Sequence, residues 1–296
     1  MLKETKWYLL LIIAFIVWGS QHPFIKIISG EMPPFLFNFL RFLIIILVLL
    51  PFVIKQKIIL EKVDLFKVLL LGVVGIAFYG LFMIVGIKNS TAINSSILVN
   101  SSPLIIALFA PLLIKEKMNW KKGLGILLGF LGVLLIISNG FNVSDLAKSE
   151  YLLGNLLLFS GAICIAIFSM YNKKYIQKYS GLAVTFYAVL GGTIFLFIST
   201  IINKEIFQVV NISVYHFSLI LYIAVVTTAA TWVVWFNAIN RIGVIKTSSF
   251  FFVIPISGVI FSSLILKEAL TEYIIIGIIL VLIGVYITQK AKAVVK

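Results

Sequence analysis

Apolar residues run along this chain in blocks of about 20, each long enough at about 1.5 Å per residue to cross a hydrocarbon layer of roughly 30 Å. Glycine, proline and short charged stretches separate the blocks. The pattern predicts ten helices, at 7–28, 34–54, 66–87, 92–114, 120–138, 152–172, 182–202, 216–239, 245–266 and 271–289. Between the third and fourth only Lys88, Asn89 and Ser90 interrupt the apolar pattern, and a re-entrant segment is the alternative there.

A longer period lies over this one. At an offset of 152 residues, segment 86–136 falls on 238–288 without a gap. Ser96 then meets Ser248, Pro103 meets Pro255, Lys115-Glu116 meets Lys267-Glu268, Gly125 meets Gly277, and Gly132-Val133 meets Gly284-Val285. Coincident leucines would mean little at this composition, whereas proline, glycine and a Lys-Glu pair at one offset mark an internal repeat. The expected organisation is two five-helix units, residues 1–144 and 145–296. Five is odd, so the second unit enters the membrane inverted, a plan that recurs in secondary transporters working by alternating access. Duplication that merely builds a stable bundle is the plainer alternative.

Composition makes lipid the solvent: of 296 residues, 62% are hydrophobic and 11% charged, with a mean hydropathy of +1.18. The net charge of +14 does not imply a nucleic-acid partner, because the basic residues lie in the short connections. Eighteen fall on the side holding both chain ends and five on the other, which makes both termini cytoplasmic in a multi-pass plasma-membrane protein. The first apolar run continues past a signal-peptide length, to about Ile28, with no small-residue cleavage site, and reads as a retained helix.

Candidate chemistry is sparse. One cysteine, Cys164, permits no intramolecular disulfide, and His22 and His216 have no neighbouring carboxylates in the sequence, so no metal, cofactor or catalytic dyad is expected. No Asp or Glu lies deep in a span, which disfavours a mid-membrane carboxylate exchanging protons for cations. A membrane enzyme acting on lipid-linked substrates would need converging acids or histidines, and a binding partner or receptor without transport is a further alternative.

Polar residues inside spans therefore carry the functional expectation, since in lipid they must face protein or a wet cavity. Ser96, Asn100 and Pro103 share one face of the fourth helix, and their repeat equivalents are Ser248, Phe252 and Pro255. Replacement of Asn100 by Phe252 is where a symmetric scaffold would become an asymmetric site. Thr228, Thr231 and Trp235 share a face of the eighth helix, with Trp232 adjacent, although Thr hydroxyls can equally bond their own helix carbonyls. Trp18 and Gln21 of the first helix and Tyr79 of the third complete the substrate-binding candidates, each against ordinary helix packing. Pro23, Pro103 and Pro255 are the hinge candidates. His22 is weighed as a hydrogen-bonded structural residue rather than a proton carrier. Arg41, the charge deepest in a span, can offer a bidentate contact to a carboxylate, but its place near a helix start lets it snorkel, and the balance falls on a structural role.

Trp18-Gly19-Ser20 followed by Pro23-Phe24 and Lys26, then Leu40-Arg41-Phe42, then Pro103 with Lys115-Glu116 and the echo Pro255 with Lys267-Glu268, resemble the drug/metabolite transporter superfamily in its EamA-type ten-helix form. The resemblance spans essentially the whole chain. It implies an all-α integral membrane fold, two inverted repeats around a central cavity lined by the first, third, fourth, sixth, eighth and ninth helices. It also implies small-metabolite substrates, typically amino acids, moved outward; ten helices and an internal two-fold make a monomer sufficient in principle. Nucleotide-sugars or other phosphorylated solutes are the alternative within transport.

Overall fold

The computed structural model describes residues 2–21, 24, 25, 28, 31–89, 98, 99, 101–115, 118–138, 152–266 and 272–290. Among these there is no strand. The helices are α1 (Leu2–Gly19), α2 (Pro34–Gln56), α3 (Lys62–Lys88), α4 (Ser102–Leu113), α5 (Trp120–Ser138), α6 (Leu152–Lys178), α7 (Gly181–Ile202), α8 (Val214–Ile242), α9 and α10 (Glu272–Lys290). The ninth runs as Val244–Ser248, a 3-10 turn Ser249–Phe252 and Val253–Leu266. By length and composition, α2, α3, α6, α7 and α8 are long and apolar enough to cross a membrane.

Local chemistry sets the ends. Pro33 precedes α2 with Pro34 at its first position, where a missing N–H costs nothing. Ser180 and Ser213 cap α7 and α8, accepting from the N–H of Ala183 at 3.1 Å and His216 at 3.2 Å. Gly243, at φ 85, makes the turn from α8 into α9 that a side chain would resist. Inside the helices, Thr185, Thr193, Thr200 and Thr288 donate to the carbonyl four residues back, so their hydroxyls need no water.

The packing is two-fold. α5 lies against α10 and α2 against α7; α1 packs on α8 and α9, while α6 packs on α3 and α4. Advancing every label by five returns the same pairs. α1 and α6 are thus each held by helices of the other half.

The glycines of the repeat make the tightest crossing. A Cβ on Gly125 would lie 2.6 Å from the Gly284 carbonyl oxygen, and one on Gly132 2.6 Å from that of Gly277. The 152-residue offset pairs Gly125 with Gly277 and Gly132 with Gly284, so the coincidence in sequence is a crossing of α5 and α10, antiparallel and symmetric. Dispersion between close backbones holds helices together where lipid removes the hydrophobic drive.

Two helices carry a wider turn. Val73–Phe78 in α3 and Tyr222–Ala229 in α8 are π-helical, and the repeat offset brings the first to 225–230, within one turn of the second. Both halves place this irregularity alike, next to the aromatic interior.

Where an open central cavity was expected, the described residues fill the middle with aromatic rings. Trp18, Trp232, Trp235, Phe15, Phe168 and Phe236 are all fully buried.

Candidate functional site

α1 and α8 cross antiparallel. Ser20 Oγ lies 2.8 Å from Tyr222 Oη, Thr227 Oγ1 donates to Gln21 Oε1 at 3.4 Å, and the Trp18 ring lies 6.1 Å from Trp232 and 5.9 Å from Trp235. Helical spacing therefore sorts the site into two layers about one turn, ~5 Å, apart. Gln21 and Thr228 form a polar layer, and Trp18 with Trp232 and Trp235 an aromatic one.

Arg41 enters the polar layer from α2. Its Nη2 donates to Gln21 Oε1 at 2.8 Å and to Thr228 Oγ1 at 2.6 Å, and Nε donates to Thr228 at 3.2 Å. Thr228 can accept from Arg41 because its own proton goes to the Ile223 carbonyl at 2.8 Å, a reach of five residues that the π-turn opens. The guanidinium lies 5.3 Å from the Phe42 ring. Arg41 is only 7% exposed, and no described residue gives it an acidic partner. A buried cation is costly unless paired. This one is solvated by neutral groups from α1 and α8 and makes no hydrogen bond through Nη1 among the described residues. Arg41 is not snorkelling: it lies at the junction of α1, α2 and α8, which the structural reading from sequence does not anticipate.

In the aromatic layer the three tryptophans form a nearly equilateral triangle. The centroid distances are 6.1, 5.9 and 6.2 Å, and the rings incline to one another at 58°, 57° and 67°. Phe251 closes one edge at 5.4 Å from both Trp18 and Trp235, and Phe168 another at 6.3 Å from Trp232 and 6.2 Å from Trp235. Trp232 Nε1 is buried and has no hydrogen-bond partner among the described residues. An indole N–H is only a donor.

Trp18, Gln21, Thr228, Trp232 and Trp235 thus come together, while the buried Tyr79 ring lies beside α6, 3.7 Å from where a Cβ on Gly161 would be. Thr231 does not join the polar layer through its hydroxyl, which donates back to the carbonyls of Thr227 at 2.6 Å and Thr228 at 3.1 Å. Ser248 likewise donates to Ile245 at 3.0 Å. Phe252 is turned to α5: a Cβ on Gly129 would sit 2.5 Å from its ring. Ser96, Asn100, Pro23 and His22 lie outside the described residues. Pro103 stands in the first turn of α4, and Pro255 in the first turn after the 3-10 segment of α9.

Two ion-pair clusters join the halves at opposite ends. His216, expected to have no carboxylate nearby, lies 2.8 Å from Glu31 Oε2 through Nε2, with Ser213 Oγ at 2.8 Å from Nδ1. The partner is 185 residues away in the chain, beyond any local pattern. At the other end Lys178 Nζ reaches Glu61 and Asp64, each at 2.8 Å, and Tyr179 Oη donates to Asp64 at 2.9 Å. The Lys178 ammonium, then the Tyr179 hydroxyl, holds the Asp64 carboxyl below the usual carboxylate range. Glu205 accepts from the N–H of Leu36 at 2.9 Å, capping α2 from a distance; burial pushes its carboxyl up despite that bond.

The chain is 29% identical to an uncharacterized transporter, YetK, of Bacillus subtilis over 98% of its own length and 88% of that protein's. It is 28% identical to an uncharacterized transporter of Archaeoglobus fulgidus over 98% and 99%. A crystal structure at 17% identity superposes with a TM-score of 0.76 over 96% of this chain and 98% of the other, which shows the shared fold. The EamA-like transporter family matches twice, at residues 5–138 and 152–289. Two matches covering nearly the whole chain, and relatives named as transporters over their full length, mean that this protein belongs to the EamA-like transporter family and with it to the drug/metabolite transporter superfamily.

Proposed function

We propose that the chain is a ten-span exporter of small carboxylate-bearing metabolites, amino acids foremost, working by alternating access between its two inverted repeats. It resides in the plasma membrane with both termini cytoplasmic, and a monomer suffices. The observation that carries this reading is Arg41, a buried guanidinium whose partners among the described residues are all neutral. A cation with no acidic partner among those residues suits a site that an anionic group of the solute completes.

The two-fold packing supports the inverted repeat, and the 18 to 5 split of basic residues supports the orientation. In an alternating cycle the ring contacts between α1 and α8 and the ion pairs joining the halves at each end would open in turn. Pro255 follows the 3-10 turn Ser249–Phe252 and Pro103 is its repeat equivalent, which supports reading both as hinges. Phosphorylated solutes fit less well. Apart from Arg41, the buried cation among the described residues is Lys122, at the start of α5 and far along the chain from the polar layer.

Counterflow of radiolabelled amino acids, nucleosides, sugars and sugar phosphates into proteoliposomes tests the reading, with Arg41→Gln and Trp232→Ala as variants. Saturable exchange of amino acids, lost in both variants while the protein stays folded, is the expected result. Exchange confined to phosphorylated solutes overturns the substrate class. Binding without any exchange overturns transport in favour of a receptor.

A further inference from the structure

Away from the solute layers, α4 and α6 come from different halves and leave a cleft between their ends. Its volume is about 370 Å³, within the ~300–1,000 Å³ range of small-molecule sites. Leu113 and Ile114 at the end of α4 form one wall, and Tyr171, Lys173, Lys174 and Gln177 of α6 form most of the other. The contacts of Lys178 with Glu61 and Asp64 fix which end this is, since they bring the last turn of α6 to the start of α3.

Both walls continue surfaces that face lipid. Leu156, Phe159 and Ile163 are exposed along one face of α6, and Tyr171, Lys174 and Gln177, also exposed, extend that face. Leu158, Ile165 and Asn172 on the opposite face are buried. On α4, Leu108, Phe109, Leu112 and Leu113 are exposed. A watery passage toward the polar layer would be lined by the buried face of α6. The cleft is lined by the other face and so opens to the bilayer.

Its chemistry has two parts. Lys174 Nζ lies 4.7 Å from the Tyr175 ring centre and has no carboxylate partner among the described residues, whereas Lys178, four residues on, is taken up by Glu61 and Asp64. A lysine at a helix end commonly snorkels to the interface. Here it stands beside a concavity whose facing wall is apolar. Basic clefts between membrane helices hold anionic lipid head groups. An anionic glycerophospholipid supplies both a phosphate for the lysines and chains for the leucines. A choline lipid brings the same chains with a cation that the lysines repel, and free phosphate brings no chains.

We propose that the cleft between α4 and α6 binds one anionic glycerophospholipid, its phosphate held by Lys173 and Lys174 and its chains laid along the exposed leucines of α4. The site is separate from the solute layers and does not rest on the transport reading.

The test is native mass spectrometry of the purified full chain, delipidated in detergent and titrated with dioleoyl-phosphatidylglycerol or dioleoyl-phosphatidylcholine, with folding followed by the melting transition. One phosphatidylglycerol is expected to bind saturably, and phosphatidylcholine at least about tenfold more weakly. Lys173→Gln with Lys174→Gln should weaken phosphatidylglycerol by roughly tenfold or more, and Lys174→Gln alone should give part of that loss. Lys62→Gln with Lys67→Gln removes the same charge from exposed positions at the same end and should change nothing. Leu113→Trp fills the apolar side of the cleft with both lysines kept, and should weaken the lipid severalfold.

Equal affinity for the two lipids overturns recognition by charge. Equal loss in the two lysine pairs shows a diffuse basic surface and overturns the site. Unchanged binding in the Lys173 and Lys174 double variant, or in Leu113→Trp, places the lipid elsewhere and overturns it too. Displacement of the lipid by equimolar glycerol 3-phosphate assigns the cleft to a soluble phosphate instead. Folded protein that retains no phosphatidylglycerol overturns the inference.

Discussion

Asp64 and His216 occupy the same place in the two repeats. They are 152 residues apart, each is the third residue of its helix, α3 or α8, and each ties that helix to the other half of the molecule. The sign is reversed. Asp64 is the acid of its pair, with Lys178, while His216 is the base of its pair, with Glu31. An acid at a helix N-terminus agrees with the macrodipole and a protonated imidazole opposes it. The Asp64 end is therefore doubly favoured, whereas the His216 end depends on its contact with Glu31.

The outer pair should act as a latch. Glu31→Gln and His216→Gln each weaken the 2.8 Å contact that ties α8 to the first half, and each should speed initial exchange severalfold while folded yield stays near wild type. Rates equal to wild type in both variants would falsify a role for this pair in holding that end closed.

The inner pair should be insensitive to pH near neutrality. The folded state depresses the Asp64 carboxyl, so its contribution is present above the ordinary aspartate value and lost only as pH falls through the depressed one. Bonds to Asp64, then Glu61, hold the Lys178 ammonium above its ordinary value, so that contribution persists below the lysine range and is lost only as pH rises through the raised value. Neutral pH lies inside both limits. Releasing the pair with Lys178→Met should loosen α6, which carries the chain's one cysteine, Cys164, buried at 9% exposure. Labelling of Cys164 by a membrane-permeant maleimide should accelerate severalfold. A rate equal to wild type would show that the contact does not hold α6 closed.

The α5–α10 crossing is a matter of folding rather than transport. Gly125→Leu or Gly284→Leu places a side chain where even a Cβ meets backbone at 2.6 and 2.5 Å, and each should cost roughly 1–3 kcal/mol or more and lower the folded yield. Gly123→Ala, whose Cβ would meet only Met118 at 3.5 Å, is the matched control and should be silent. Size-exclusion profiles in detergent separate the two. Monodisperse Gly125→Leu protein at wild-type yield would contradict the crossing.

What the sequence makes legible follows from what periodicity can carry. The repeat offset contains the glycine crossing, since both partners are repeat equivalents and symmetry does the docking. Trp18 with Gln21, and Thr228 with Trp232, are visible as faces of single helices. Their meeting is not, because helical spacing says nothing of which face of α1 opposes which face of α8. Arg41 is undervalued for that reason: its partners belong to two other helices. Phe252 is misplaced by a local cause, the 3-10 turn Ser249–Phe252, which rotates the face that an uninterrupted helix would present and sends the ring to Gly129. The Glu31–His216 pair is not legible in this way: the offset lays His216 on Asp64, but it lays Lys178, the partner of Asp64, on Lys26 rather than Glu31.

Pro103 and Pro255 allow the hinge reading to be separated from folding. Each stands within the first turn of a helical segment, where the amide N–H has no partner within the helix, so neither ring costs a hydrogen bond that alanine would restore. Replacing proline by alanine there should cost about 0.4–1 kcal/mol, through the greater freedom of the unfolded chain. The larger effect is on the break itself. Alanine lets α9 continue through Ser249–Phe252 in α geometry, rotating Phe251 away from Trp18 and Trp235, which it now touches at 5.4 Å. Exchange in Pro255→Ala should therefore slow severalfold while folded yield and melting change little. The double variant with Pro103→Ala, the repeat equivalent, should slow it further. Loss of yield in proportion to loss of exchange would assign both prolines to folding, and the source of the alternating motion would then have to be sought in the π-turns Val73–Phe78 and Tyr222–Ala229.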